Sequence, residues 1–310
     1  MAASHHHTSV LYDAAIDALA VRPDGVYIDG TFGRGGHTAG LLEQLGPAGR
    51  VIAFDKDLAA CQAGWSRFGA DGRLTLVHAG FETLGQWVRD AGLMGHVDGL
   101  LLDLGVSSPQ LDNAERGFSF MRAGPLDMRM DATAGETAAD WLARADAREI
   151  ADVLWRYGDE RQSRRIAAAI VRQRDAEPLT TTTQLAQLIE SIVRRTPGGS
   201  HPATRSFQAI RMHINGEMAA LEAVLDQAME VLADGGRLAV ISFHSLEDRI
   251  VKRFMRGYAQ PPLPPVPAAP RPPAELDIVL RKLRPGPDEV ATNPRARSAT
   301  LRAAERRRRR

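Results

Sequence analysis

The chain has 310 residues, 44% hydrophobic and 25% charged, and its single cysteine is Cys61. That length predicts two structural units, or one core with a large insertion. No run of about 18 apolar residues is present to cross a membrane, and a lone cysteine excludes internal disulfides and cysteine-built zinc clusters, as expected of a cytoplasmic protein. The net charge of +1 is uneven: Arg302 and Arg306 to Arg310 against Glu305 give the last ten residues +5, leaving −4 on the rest. A polyanion is therefore expected at local patches rather than over the whole surface.

The segment Met1 to Val10 holds three histidines but no apolar stretch of a secretory signal. The first third then alternates short β-type runs with amphipathic segments. The runs are 26–29, 51–55, 74–77 and 100–103; the segments between them include 38–45 and 82–93. Apolar runs separated by helices predict a parallel sheet covered on both faces, a doubly wound α/β core. From about 112 to 200 the strand pattern stops. Ile150, Val153, Leu154, Ile166, Ile170, Leu185 and Ile189 recur at helical spacing, and Thr181 with Gln184 forms a capping-box pattern. This predicts a helical insertion over 111–204 between core segments 1–110 and 205–310. A long helix is expected over 218–232, ended by Gly235-Gly236, followed by a buried strand over 238–243 and a helix opened by Ser245 and Asp248. Residues 259–273 carry eight prolines and predict a loop. The stretches 276–283 and 298–302 predict an edge hairpin, and the basic tail 303–310 is expected to be disordered.

The first strand runs into Asp29-Gly30-Thr31-Phe32-Gly33-Arg34-Gly35-Gly36-His37 before a helix. Such glycines let the backbone turn sharply and approach a ligand. Asp55 ends the second strand, where an acid accepts ribose hydroxyl protons. Together they predict an adenosine-containing cofactor. The loop lacks the Gly-x-Gly-x-x-Gly spacing of dinucleotide enzymes, and Asp29 before it would repel a pyrophosphate while suiting the cationic end of S-adenosylmethionine. A nicotinamide-dependent oxidoreductase is the competing reading.

The fourth strand ends Asp103-Leu104-Gly105-Val106-Ser107-Ser108-Pro109-Gln110, at the edge that faces the ligand crevice of a doubly wound sheet. An exocyclic base amine is a poor nucleophile, and acceptors aimed at its protons stabilise the charge that develops on nitrogen. Asp103, the Ser107 and Ser108 oxygens, or carbonyls before Pro109 are the candidates. Cys61 lies in a helix rather than in this loop, which argues against C5-pyrimidine chemistry. These residues leave the acceptor open between cytosine and adenine amines.

The blocks 103–112, 116–120 and 125–130, together with 7–11, 31–37, 204–211, 236–249 and 293–298, occur in one order along nearly the whole chain. In this the sequence resembles the bacterial 16S ribosomal RNA cytosine-N4 methyltransferases, the MraW or RsmH family. The resemblance implies a class I methyltransferase fold, S-adenosyl-L-methionine as cofactor and no metal. Its implied substrate is the N4 amine of one cytidine in the decoding region, near the P site, of 16S ribosomal RNA in the small subunit. Carried over by motif, Gly35, Gly36, His37, Asp55, Phe81, Asp103 and Gln110 hold the cofactor. On the loop chemistry above, Asp103 with Ser107, Ser108 and Pro109 is the expected catalytic set, positioning the amine. The alternatives are methylation of adenine N6 or of DNA cytosine N4, or a non-catalytic ribosome-assembly factor. No membrane association is expected, and the oligomeric state stays open between monomer and homodimer. Arg161, Arg164, Arg165, Arg172 and Arg174 form a cluster that reads either as a phosphate-binding surface or as a solvated face balanced by Asp159, Glu160, Asp175 and Glu177. Trp141, Trp155 and Tyr157 read as core or as stacking residues.

Overall fold

The computed structural model describes residues 9–195, 197–261 and 272–308. The chain divides into two units, Met1–Gly105 with Ala219–Arg310, and Val106–Met218.

In chain order the first unit begins with α1 (Tyr12–Leu19), β1 (Val26–Asp29), α2 (Gly36–Gln44), β2 (Arg50–Asp55), α3 (Leu58–Phe68), β3 (Leu74–His78), α4 (Leu84–Asp90) and β4 (Val97–Asp103). The chain then leaves for the second unit, formed by α5 (Ser108–Asp112), α6 (Ala138–Arg144), α7 (Ala147–Gly158), α8 (Ser163–Ala176), α9 (Thr182–Glu190) and α10 (Thr204–Ile214). It returns through α11 (Glu217–Val231), β5 (Leu232–Ser242), α12 (Ser245–Ala259), β6 (Leu276–Leu283), α13 (Pro287–Thr292) and β7 (Thr300–Arg306).

The first unit is a seven-stranded sheet ordered β3-β2-β1-β4-β5-β7-β6. β1 to β5 run parallel, and β7 is antiparallel to both β5 and β6. β1, β2 and β4 are almost wholly buried. They are apolar runs without alternation because helices cover both faces, as a parallel sheet requires. One face packs Ile28, Ile52, Leu100, Leu102, Val224 and Val240 into a core. The other packs Tyr27, Val51, Leu101, Ala239, Ile241 and Leu301 against α1 and α2. The strand order reverses between β1 and β4, so the crevice beyond their carboxyl ends is the ligand site that the topology provides.

Three expectations change here. Gly235-Gly236 does not close α11, which stops at Val231; both glycines fall in the irregular start of β5, where Gly235 has φ +82° and the pairing with β4 shifts register. The late hairpin exists, but its second strand runs to Arg306 and lies inside the sheet, with β6 on the edge. The expected tail thus begins as buried strand: the Arg302 guanidinium pairs bidentately with Asp248, and Arg306 donates to the Leu232 carbonyl. An arginine run reads as solvated in a sequence, yet a guanidinium is at home inside when carboxylates and carbonyls meet it. Ala259 ends α12, so the proline-rich segment starts after it; residues 262–271, 7–8 and 309–310 lie outside the described residues.

The second unit is helical, with one isolated bridge, Pro125 to Thr181, outside its helices. Its core gathers Leu126, Met128, Trp141, Leu154, Ile170 and Ile210. It extends beyond the expected 111–204 at both ends, because α5 and α10 belong to it. Periodicity marks Phe207 and Ile210 as buried but not which core takes them. The predicted capping box of α9 is present, with Thr181 and Gln184 exchanging bonds. The Pro125 to Met130 block is a structural knot. Met128 sits at φ +63° and is wholly buried; its N–H donates to the Arg116 carbonyl and its carbonyl accepts from Asn215 Nδ2. Asp127 and Arg129 pair bidentately beside it.

Candidate active site

The first and fourth strand-end turns meet. The Gly30 N–H donates to the Leu101 carbonyl at 2.9 Å. The Asp103 N–H donates to Thr31 Oγ1 at 2.7 Å. Asp29, 1% exposed, accepts from Thr38 Oγ1 at 2.7 Å and from the Thr31 N–H at 3.1 Å. Thr31 and Thr38 are neighbours within the candidate site that sequence reasoning missed; hydroxyls two and nine residues after a strand-end acid were the available signal.

Gly35 caps α2 at φ +69°, and a Cβ there would lie 2.7 Å from both the Phe32 and Phe68 rings. Only glycine takes that turn between two aromatics without strain. Gly36 opens α2, and a Cβ on it would come 2.0 Å from Ser9 Oγ, so the N-terminal block packs directly on the glycine turn. His37 is buried, its Nε2 3.2 Å from the Val10 carbonyl and its Nδ1 3.6 Å from Asp103 Oδ2. Burial holds the imidazole below its ordinary pKa, opposed by Asp29.

Asp55 ends β2 and is spent on the loop itself. Its Oδ2 accepts the Gly33 N–H at 2.7 Å and its Oδ1 the Asp57 N–H at 2.8 Å. Burial nevertheless pushes its pKa up to about 6, with those two amides pulling the other way. Phe81 heads a short 3-10 turn after β3, half-buried against the apolar core. Its Cβ would be 3.2 Å from a Cβ placed on Gly30, so it closes on the first turn.

Asp103 is the outlier. Its Oδ1 is shielded from water and has no hydrogen-bond partner among the described residues. Burial, and then the charges of Asp29 and Glu247, hold its carboxyl well above the usual range. Asp29 is raised by burial as well. A ligand that brings positive charge and N–H donors relieves all of this; a pyrophosphate would worsen it. The residues therefore fit the ammonium and sulfonium of S-adenosylmethionine and not a dinucleotide.

Ser107, Ser108, Pro109 and Gln110 belong to the second unit. Ser107 is the N-cap of α5, its N–H donating to Gln110 Oε1 at 2.9 Å, and Pro109 stands in the first turn. The Ser107 carbonyl accepts the Leu111 N–H, so that acceptor is occupied within the helix. Gln110 is buried, its oxygen engaged in the cap. Cys61 is buried in α3, its thiol pushed up to about 12 by burial and by Asp55 and Asp57, which makes it inert.

The block 236–249 has a structural explanation too. His244 and Glu247 form the capping box of α12, one residue earlier than the expected Ser245 cap, and Glu247 also accepts the Phe243 N–H at 2.8 Å. Trp141 is core, donating its indole N–H to Glu149 at 2.8 Å, and Tyr157 packs on the same cluster; Trp155 is 55% exposed. No described helix is long and apolar enough to cross a membrane.

This sheet order, with an antiparallel strand between β5 and β6, a glycine turn after β1 and acids ending β1, β2 and β4, defines a class I methyltransferase. The model of the MraW methylase family matches residues 4–307, and the chain belongs to that family. A ribosomal RNA small subunit methyltransferase H from Xanthomonas axonopodis pv. citri (strain 306) is 57% identical over 305 residues, covering 96% of this chain and 87% of the relative. One from Chromobacterium violaceum (strain ATCC 12472) is 54% identical over 304 residues, covering 97% and 95%. Among solved structures, a putative rRNA-methylase from Clostridium thermocellum aligns with a TM-score of 0.48 at 14% identity, covering 96% of this chain and 98% of the other.

Proposed function

We propose that this chain methylates the N4 amine of one cytidine in the decoding region of 16S ribosomal RNA, near the P site, in the cytoplasm and on the small ribosomal subunit. It is an S-adenosylmethionine-dependent methyltransferase of small-subunit ribosomal RNA; the choice of base and its position are the finer reading. That reading is supported by the blocks 103–112 and 116–130 and by relatives named for the small-subunit RNA. The inert Cys61 thiol weighs for an exocyclic amine and against a C5 carbon, which would need a cysteine nucleophile.

Bound S-adenosylmethionine supplies an activated methyl group on a sulfonium. Asp29 and Asp103 favour positive charge at the carboxyl ends of β1 and β4. Gly35 and Gly36 let the α2 turn close on the donor, Asp55 holds that turn while its remaining lone pairs face a ribose, and Phe81 offers an apolar face for adenine. The free Asp103 Oδ1 is the single observation that carries the reading. It accepts an N–H of the acceptor amine, drawing density onto nitrogen as the bond to carbon forms. Ser107, Ser108 and Pro109 follow four to six residues on in the chain and are assigned to positioning the same base, with Gln110 fixing their helix start.

Asp103→Asn and Asp103→Ala test this. Both are expected to abolish N4-methylcytidine formation in small-subunit RNA, by about a hundredfold or more, read by nucleoside mass spectrometry. Neither lowers the melting temperature, because each removes a buried acid that the fold already disfavours. Retained transfer would end the role of Asp103; N6-methyladenine as product would replace the base.

A further inference from the structure

The arginine cluster of the second unit separates into two kinds. Arg174 is structural: its Nη1 donates to the carbonyls of Leu142 and Ala145 and so closes the last turn of α6. Arg161, Arg164, Arg165 and Arg172 are exposed, and none forms an ion pair among the described residues. The one side-chain bond they make runs from Arg165 to Gln162 Oε1 at 3.2 Å. At 3.6 residues per turn, Arg165, Ala168 and Arg172 form one stripe along α8, opposite Ile166 and Ile170 in the core, with Arg164 beside it and Arg161 in the turn that precedes the helix.

None of the acids that balance this cluster in the sequence forms an ion pair with it among the described residues. Glu160 is 4% exposed and its Oε1 accepts the Gln162 N–H at 2.8 Å. Asp159 ends α7 in the left-handed region, and its carbonyl accepts from Arg205. Asp175, three residues after Arg172, and Glu177 lie at the carboxyl end of α8 and form no ion pair with these arginines among the described residues. Like charges held on one face repel, and the fold gains nothing from them without an anion to receive them. On α8, Arg164 to Arg172 spans about 12 Å, room for several successive phosphates of one strand. Trp155, one turn before the chain passes from α7 towards Arg161, presents an exposed indole of the kind on which bases stack.

We propose that the α8 stripe, with Trp155, is a docking strip for the phosphate backbone of a single-stranded RNA segment. It rests on the reading above that the acceptor is RNA. The strip adds affinity and orientation, and no base specificity.

The test compares the full chain with a variant carrying Arg161→Gln, Arg164→Gln, Arg165→Gln and Arg172→Gln. One arm follows binding of a fluorescein-labelled single-stranded oligoribonucleotide by anisotropy across salt. The variant is expected to bind at least about tenfold more weakly near 0.1 M salt, with the slope of log K against log salt reduced by about 3. Trp155→Ala is expected to weaken binding without changing that slope. The other arm follows methyl transfer to isolated small subunits: KM for the subunits rises while kcat and the affinity for S-adenosylmethionine stay as in the unmodified chain. Unchanged melting shows that the fold is intact. Wild-type affinity and slope in the quadruple variant would overturn the strip. If the unmodified chain binds RNA with the expected slope but transfers no methyl group to any RNA, the functional reading falls and the strip stands.

Discussion

Asp55 shows how one side chain can hold a loop and, on the proposed reading, meet a ligand as well. Both oxygens already hold backbone amides, of Gly33 and Asp57. In Asp55→Asn one amide nitrogen must face one of those N–H groups, donor to donor. Asn is therefore expected to lose nearly as much affinity for S-adenosylmethionine as Ala does, roughly a hundredfold, by calorimetry. A side chain that touched only ribose would tolerate Asn better. The raised pKa gives a second expectation. Asp55 is protonated below about 6 in the free chain, and a cationic donor favours the ionised form, so affinity falls as pH drops, by about tenfold between pH 7 and 5. Flat affinity across that range would remove the electrostatic role. Asp29, Gly35, Gly36, Asp55 and Asp103 were legible as a candidate site because strand ends and glycines punctuate the sequence. Thr31, Thr38 and Ser9 were not, since hydroxyls and small residues occur everywhere and only the turn brings them onto Asp29 and Gly36.

β1 to β4 and the helices between them were readable because a buried parallel strand is a plain apolar run. β7 was not. Arg302, Glu305 and Arg306, set among small apolar residues, read as an edge strand running into a solvated tail, yet β7 lies between β5 and β6. The long-range partners, Asp248 for Arg302 and the Leu232 carbonyl for Arg306, are what make burial tolerable, and no local pattern announces them. Ending the chain at Arg307 is expected to move the melting temperature by no more than about 2 °C. Ending it at Ala299 removes a central strand, bares the edges of β5 and β6, and is expected to give aggregated protein in a sedimentation assay.

The two-unit organisation followed from the point where strand periodicity stops and resumes, and the resemblance extended over both parts. The boundaries were misplaced because a helix such as α10 signals that it is buried without signalling against what. The second unit has its own core, including Trp141, Leu154 and Ile170. Residues 106–218 expressed alone are therefore expected to be helical by circular dichroism and to melt cooperatively; a non-cooperative melt would mean that the core is incomplete without the rest of the chain.

The seating of β7 also sets a timetable for biosynthesis. Translation delivers the amino-terminal strands first, yet β6 has no neighbour in the sheet until β7, which follows it in the chain, has been made and slots between β5 and β6. A nascent chain can shape its glycine turn early, but it carries an open sheet edge at β5 until β7 is paired on both sides.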